Sequence, residues 1–421
     1  MQYRKRIIDD ELDELFPHLP AIALDGPKGV GKTATATQRA RTVFRLDDLR
    51  SRELLQAAPE RIVSAEQPVL IDEWQRLPWL WDIVRRAVDD SGSRGGQFLL
   101  TGSAAPLEQP THSGAGRIVS TRMRPLSLAE RDVTTPTVSL GALLAGRAEI
   151  GGETSIDANQ YASLIVGSGF PAVHGAPESI AVKWLDGYLD SIVNKDFENQ
   201  GHRARRPEAL RAWLRSFAVA VSTDASYTSI LDAAVVEGGD KPSRSATEAY
   251  RETLRQLWLV DSIQPWAPLE GGLGRLSLSP VHQLADPALA ARLMNLTSSK
   301  LMSPTAQSQL ANGAVFGRLF ESLCAQSLQT YAQSNDARVY HLRTQRGDHE
   351  IDFIIEGQDG SVVAVEVKLS QSPTDSDVRH LKWLRQKLGD RLADVVVVCT
   401  SPWAFRRSDG IAVVPAALLG P

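Results

Sequence analysis

The chain has 421 residues, 23% of them charged, and a formal net charge of −4. At roughly 100 to 200 residues per domain it holds two to four domains, and its balance excludes a global basic field that would draw it to nucleic acid. Any DNA contact has to come from a local patch. Cys324 and Cys399 lie apart from each other and from any histidine-rich spacing, so neither a zinc motif nor a disulfide framework is expected, and a reducing cytoplasm fits. The opening MQYRKRIIDDELDELF alternates acids with apolar residues instead of presenting a signal-peptide core, and no run reaches the length of a membrane span.

In chain order the sequence divides into three parts, all within an α/β class. Residues 1–135 alternate short apolar strands with helical patterns, as a parallel sheet with helices on both faces requires. Residues 136–300 read as mainly helical, interrupted by GRAEIGGETS, VEGGDKPSRS and APLEGGLGR. Residues 301–421 begin with a helix around VFGRLFESLCAQSLQTY. Strands ARVYHLR, EIDFII and SVVAVEVK follow, then a helix in DSDVRHLKWLRQKLG and the strand DVVVVCT, a second α/β unit.

The first chemical signal is AIALDGPKGVGKTATATQRA. Gly26, Gly31, Lys32 and Thr33 meet the G-x-x-x-x-G-K-[ST] pattern, between an apolar strand and a helix. Backbone N–H groups of such a loop curl around phosphates, and the following helix directs its N-terminal dipole at the anion. Gly26, Pro27, Lys28, Gly29, Val30, Gly31, Lys32, Thr33 and Ala34 are therefore the expected nucleotide contacts. Lys32 is assigned to the β and γ phosphates of ATP and Thr33 to Mg²⁺.

PVLIDEWQRLP supplies a second strand ending in Asp72 and Glu73. In this order the first acid supports Mg²⁺ and the second activates water; alternatively both acids simply open the next helix. QFLLTGSAAP is a third apolar strand, ending in Thr101 and Ser103, where this sheet class binds its ligand. Either hydroxyl can sense the γ-phosphate or serve as an ordinary turn residue.

The middle part reads as the outline of a winged helix: RPEALRAWLRSFAVAVS, SYTSILDAAVV and SRSATEAYRETLRQLWLV, then the strand-like LVDSIQPW. The basic residues of HRARRPEALRAWLR, with Arg244, Arg251 and Arg255, can meet phosphates. With Glu248 and Glu252 on the same helix, they equally make a solvated salt-bridged face.

In the last part, Glu366 and Lys368 occupy alternate positions of the apolar strand VVAVEVKLS, so they share one face. Asp352 lies in EIDFII and Glu321 on the helix GRLFESLCA. An acid on one strand, Glu-x-Lys on the next and a helical Glu is the set that a metal-dependent nuclease needs to hold Mg²⁺ against a phosphodiester. The same residues also make a structural ion pair.

The order GPKGVGKT, LIDEWQRLP, FLLTGSA, GRIVSTRMRPLSLAE, GSGFPAV, YLDSIVNKDF, HQLADPALAARLM, FGRLFESLCAQ, EIDFII and VAVEVK resembles the prokaryotic AAA-type ATPases that carry a C-terminal domain called DUF4143. That resemblance implies an AAA-like P-loop ATPase core (1–135), a winged-helix-like middle (136–300) and a restriction-endonuclease-like tail (301–421). It implies no settled physiological role and fixes no subunit number; DNA, through the middle and C-terminal parts, and a homo-oligomer are the partners to expect. Arg117 matches the family's Gly-Arg position and is a candidate arginine finger, in cis or from a neighbouring subunit, with Arg122 and Arg124 as rivals. Two departures stand out: Lys28 replaces the more common arginine, and VVEGGDKPSRS lengthens a turn that is usually three to four residues in a helix-turn-helix. The functional expectation is a cytoplasmic, Mg²⁺-dependent ATPase acting on DNA through its tail, or else a nucleotide-dependent interaction switch with a silent tail.

Overall fold

The computed structural model describes residues 3–106, 113–200, 207–234, 242–268, 279–303, 306–345 and 347–421. The chain forms two compact units, one of Met1–Pro125 with Lys195–Arg203 and Arg251–Leu259, the other of Leu126–Asn194, Ala204–Tyr250 and Val260–Pro421.

The first unit is built on strands β1 (Ala21–Asp25), β2 (Thr42–Arg45), β3 (Val69–Asp72), β4 (Phe98–Gly102) and β5 (Ile118–Arg122), in the order β2-β3-β4-β1-β5. Every pairing is parallel. AIALD, VLID and FLLTG are near-continuous apolar runs because strands at the centre of a parallel sheet are covered on both faces. Leu80, Val84 and Val88 of the helix Leu80–Asp90 share one core with Val69, Ile71, Phe98 and Leu100. The register pairs Asp25 with both Gly102 and Arg122, and Asp72 with Thr101. The polar residues that end these strands are thereby collected on the carboxyl edge of the sheet, where open α/β sheets bind ligands.

The second unit carries a seven-stranded mixed sheet, β12-β13-β11-β10-β9-β8-β7. Its strands are β7 (Gln264–Pro265), β8 (Arg338–Arg343), β9 (Glu350–Glu356), β10 (Val362–Val367), β11 (Leu392–Cys399), β12 (Phe405–Arg406) and β13 (Ala412–Pro415). A short parallel pair, β6 (Val138–Ser139) and β14 (Leu419–Gly420), stands apart from it. The expected tail strands appear as β8 to β11, with β10 lying antiparallel to β9 and parallel to β11. The strand-like LVDSIQPW divides its pairing. Gln264 and Pro265 join the edge of the large sheet beside β8, while Val260 and Ile263 bridge antiparallel to Leu284 and Val281. Much of VEGGDKPSRS and APLEGGLGR lies outside the described residues.

Two motifs distant in sequence, GSGFPAV and HQLADPALAARLM, meet at one buried carboxylate. Asp286 accepts hydrogen bonds from Gly169 N (2.7 Å), Ser168 Oγ (3.2 Å) and Ala288 N (2.8 Å), the last of which caps the helix Pro287–Leu293. Arg131 is buried nearby and donates to Leu126 O (2.9 Å) and Leu164 O (2.6 Å). Residue 169 has to be glycine, because a Cβ there would stand 2.6 Å from Leu126 O and 2.7 Å from an Arg131 guanidinium nitrogen. Removing the carboxylate strands three donors and a buried guanidinium. Asp286→Ala should therefore lower stability by about 3 to 5 kcal/mol in urea unfolding; a loss below about 1 kcal/mol would remove Asp286 from this role.

Candidate functional site

The loop between β1 and the helix Lys32–Thr37 is shaped by its glycines. Gly29 and Gly31 hold φ of 85° and 102°, a region in which a side chain is strained. A Cβ on Gly26 would lie 2.1 Å from Met123 O. Lys32 is buried and donates to Gly26 O (2.7 Å) and Pro27 O (2.8 Å), folding the loop around its own ammonium. Burial lowers the Lys32 pKa to about 8, against the pull of Glu73, Asp25 and Asp72.

Asp72 Oδ1 accepts from Thr33 Oγ1 (2.7 Å) and from Thr101 Oγ1, so a single carboxylate oxygen ties the loop to two neighbouring strands. Glu73 follows with φ 58°, a left-handed conformation unusual for a side-chain-bearing residue and typical of strained functional positions. Its Oε2 accepts from Ser103 Oγ and Gln75 Nε2, both at 2.6 Å. The residues chosen from the sequence as Lys32, Thr33, Asp72, Glu73, Thr101 and Ser103 thus converge on one edge. Left-handed glycines, a buried lysine and a hydroxyl paired with a carboxylate fit a nucleoside triphosphate with Mg²⁺. Gln75 Oε1 and Trp74 Nε1, buried beside Gly102, have no hydrogen-bond partner among the described residues.

Arg117 lies elsewhere within its own chain. It immediately precedes β5, whose first residue pairs with Ala21 at the far end of β1, and its guanidinium bonds Asp89 at 2.8 Å. One strand length, on the order of 15 Å, separates it from the carboxyl edge, so it does not stand beside the phosphate loop of its own chain. Arg122, at the other end of β5, pairs with Asp25, donates to Trp258 O at 3.3 Å and lies over the Trp258 ring. Arg124 takes part through its carbonyl, which accepts from Arg6 at 2.9 Å.

Three contributors at this edge escape a motif reading. Arg6, near the chain start, is buried and donates to Val30 O inside the loop (2.9 Å). Gln75 orients Glu73. Asp25 ends β1, and burial pushes its pKa up to about 6 despite Lys32, Ser120 and Arg122. An acid closing an apolar strand directly before the loop was the available signal.

In the second unit, β9 and β10 stay paired up to Phe353 and Val365. Beyond that point Asp352 Oδ2 accepts from Val367 N (2.7 Å) and Glu366 Oε1 from Lys368 Nζ (2.6 Å). Glu321 is close enough to share their field: burial first, then Asp352 and Glu366, raise its pKa well above the carboxylate range. Burial likewise raises Glu366, with Asp352 adding to it and Lys368 opposing. It raises Asp352 too, against Lys368 and the Val367 N–H. Burial works against the Lys368 ammonium, yet Asp352 and Glu366 hold its pKa above the usual value. One lysine cannot neutralise three buried acids, and burial of the group favours protonated carboxyls. Glu366 Oε2 is buried without a hydrogen-bond partner among the described residues. Among the described residues no three His, Cys, Asp or Glu side chains form a ready metal-holding group.

On the helix Arg244–Gln256, Arg244 lies 3.5 Å from Glu248 and Arg255 lies 2.7 Å from Glu252, which is the salt-bridged face. The basic residues at 202–206 lie outside the described residues. Among the described residues no helix is long and apolar enough to cross a membrane.

Comparison with known proteins matches residues 18–131 to an AAA domain, 158–300 to the domain of unknown function DUF8612 and 316–419 to the domain of unknown function DUF4143. The uncharacterized proteins Rv2008c of Mycobacterium tuberculosis and Mb2031c of Mycobacterium bovis are each 24% identical, over 94% of this chain and 80% of theirs. Among solved structures, the Walker-type ATPase PABY2304 of Pyrococcus abyssi is similar with a TM-score of 0.39 and 15% identity, over 68% of this chain and 94% of that one.

Asp25 titrates with a sign that can be tested. Its pKa rises from 3.8 to about 6 on folding, so its favourable contribution is complete below pH 4 and is lost as the pH passes 6. Asp25→Asn should stabilise the protein by about 2 kcal/mol at pH 8 and by little at pH 4. Urea unfolding at both pH values checks this, and an equal change at the two would contradict it.

Proposed function

The chain joins an AAA domain to a C-terminal DUF4143 domain, and on that premise we propose that it is a Mg²⁺-dependent ATP hydrolase whose turnover drives or gates an action on DNA. The observation that carries the hydrolase reading is the Thr33–Asp72–Thr101 junction with Glu73 held beside it by Ser103 and Gln75. Mg²⁺ would neutralise charge on the β and γ oxygens, and Thr33 with Asp72 would hold it. Lys32 exchanges Gly26 O and Pro27 O for phosphate oxygens. Glu73, freed from Ser103, accepts the proton of the attacking water.

For the tail, the orphaned Glu366 Oε2 and the excess of acid over base support a site that takes a divalent cation and a phosphodiester. A second reading, an interaction switch with a silent tail, is favoured by the closed Glu366–Lys368 pair and the lack of a ready three-ligand group among the described residues.

Lys32→Ala and Glu73→Gln should each lower ATP turnover by about 100-fold or more, with Glu73→Gln still binding ATP. Unchanged turnover in both would overturn the hydrolase reading. DNA incubated with Mg²⁺ or Mn²⁺, with and without ATP, separates the two tail readings. Cleavage lost in Asp352→Ala and Glu366→Ala supports the first, whereas no metal-dependent cleavage by the unaltered protein leaves the second.

A further inference from the structure

Lys28 stands on the outer rim of the phosphate loop, its side chain 62% exposed, with its ammonium 3.9 Å from Asp196. Asp196 belongs to YLDSIVNKDF, more than a hundred residues further along, yet Lys195–Arg203 groups with the ATPase unit. The backbone at this point is a single π-turn, Ile192–Asp196. Such turns re-aim the side chains that follow and concentrate at functional sites. Burial raises the Asp196 pKa; Lys28 opposes that shift, Glu73 adds to it, and Lys195 and Arg76 oppose it. Asp196 therefore sits beside Lys28 on the loop rim and within the field of Glu73.

A carboxylate in that place repels an anionic ligand, so its use lies in the state that lacks one. Lys32 is turned into the loop, onto Gly26 O and Pro27 O, away from its outer rim. A third phosphate would add negative charge toward Glu73, whose field already reaches Asp196. We propose that Asp196 is a specificity-determining residue of the nucleotide site, holding the Lys28 ammonium until a terminal phosphate displaces it. The pair thereby distinguishes a nucleoside triphosphate from a diphosphate, and the inference rests on the ATP-hydrolase reading. When Lys28 moves to the phosphate, Asp196 loses a counter-charge and is repelled, which loosens the turn that carries it.

The test uses the full chain, unaltered and as Asp196→Asn and Lys28→Gln, titrated with fluorescent ADP and with a non-hydrolysable ATP analogue. A half-exposed pair of this length is a weak one, so Asp196→Asn should tighten the analogue about threefold and leave ADP unchanged. Lys28→Gln should weaken the analogue more than ADP. Amide hydrogen exchange over residues 192–198 gives a readout without turnover: it should quicken in both variants without nucleotide, and in the unaltered chain on adding the analogue but not ADP. Equal effects of Asp196→Asn on ADP and analogue, or exchange unchanged in both variants, would overturn the proposal while leaving the hydrolase reading intact. An unaltered chain that binds neither nucleotide sinks both.

Discussion

The nucleotide edge depends on one oxygen. Asp72 Oδ1 receives the hydroxyls of Thr33 and Thr101, and it can do so only because the parallel register ends β3 and β4 level with β1. The register in turn rests on strands that are apolar up to their final residues, so that a slip would bury the acid and expose a core side chain. Sheet packing thus sets the position of the polar cluster. The strain at Glu73 is tolerated for the same reason, since the residue is fixed by the strand before it and by Ser103 and Gln75 beyond it.

The second unit handles buried charge in two ways. At Asp286 and Arg131 the polar groups are met by backbone and side-chain partners, and that arrangement joins segments more than a hundred residues apart. At Glu321, Asp352, Glu366 and Lys368 the acids outnumber the base, and one carboxylate oxygen has no partner among the described residues. A satisfied network specifies a fold, whereas an unsatisfied one marks a place where the protein tolerates cost for another purpose.

The phosphate loop was legible because its chemistry is local: four fixed positions, a strand before and a helix after. Asp72 and Glu73 were legible because they end an apolar run at the right distance. The tail residues were legible as a set because period-two alternation places Glu366 and Lys368 on one face, and Lys368 Nζ does bond Glu366. A Gly-Arg pair says nothing about which end of a strand it occupies: the register puts Arg117 at the amino end of β5 and Arg122 at the ligand edge. Asp25 carried no motif, and Asp196 reaches the loop only through tertiary packing that periodicity does not encode. LVDSIQPW reads as one strand, but its pairing is split between a bridge and a sheet edge, a choice made by partners distant in sequence.

Charge balance is what separates the two readings of the tail. Three carboxylates around one ammonium cannot all ionise in a buried site, so the deficit is made up by a proton or by a divalent cation. The two compete for the same oxygens, because a ligating carboxylate has to be deprotonated. The Glu366–Lys368 bond adds a third competitor, an internal cation already in place. An active nuclease requires a divalent cation to displace both, and a silent tail is the same cluster in which proton and lysine prevail. The acids that make the site recognisable are therefore also those that can hold it closed.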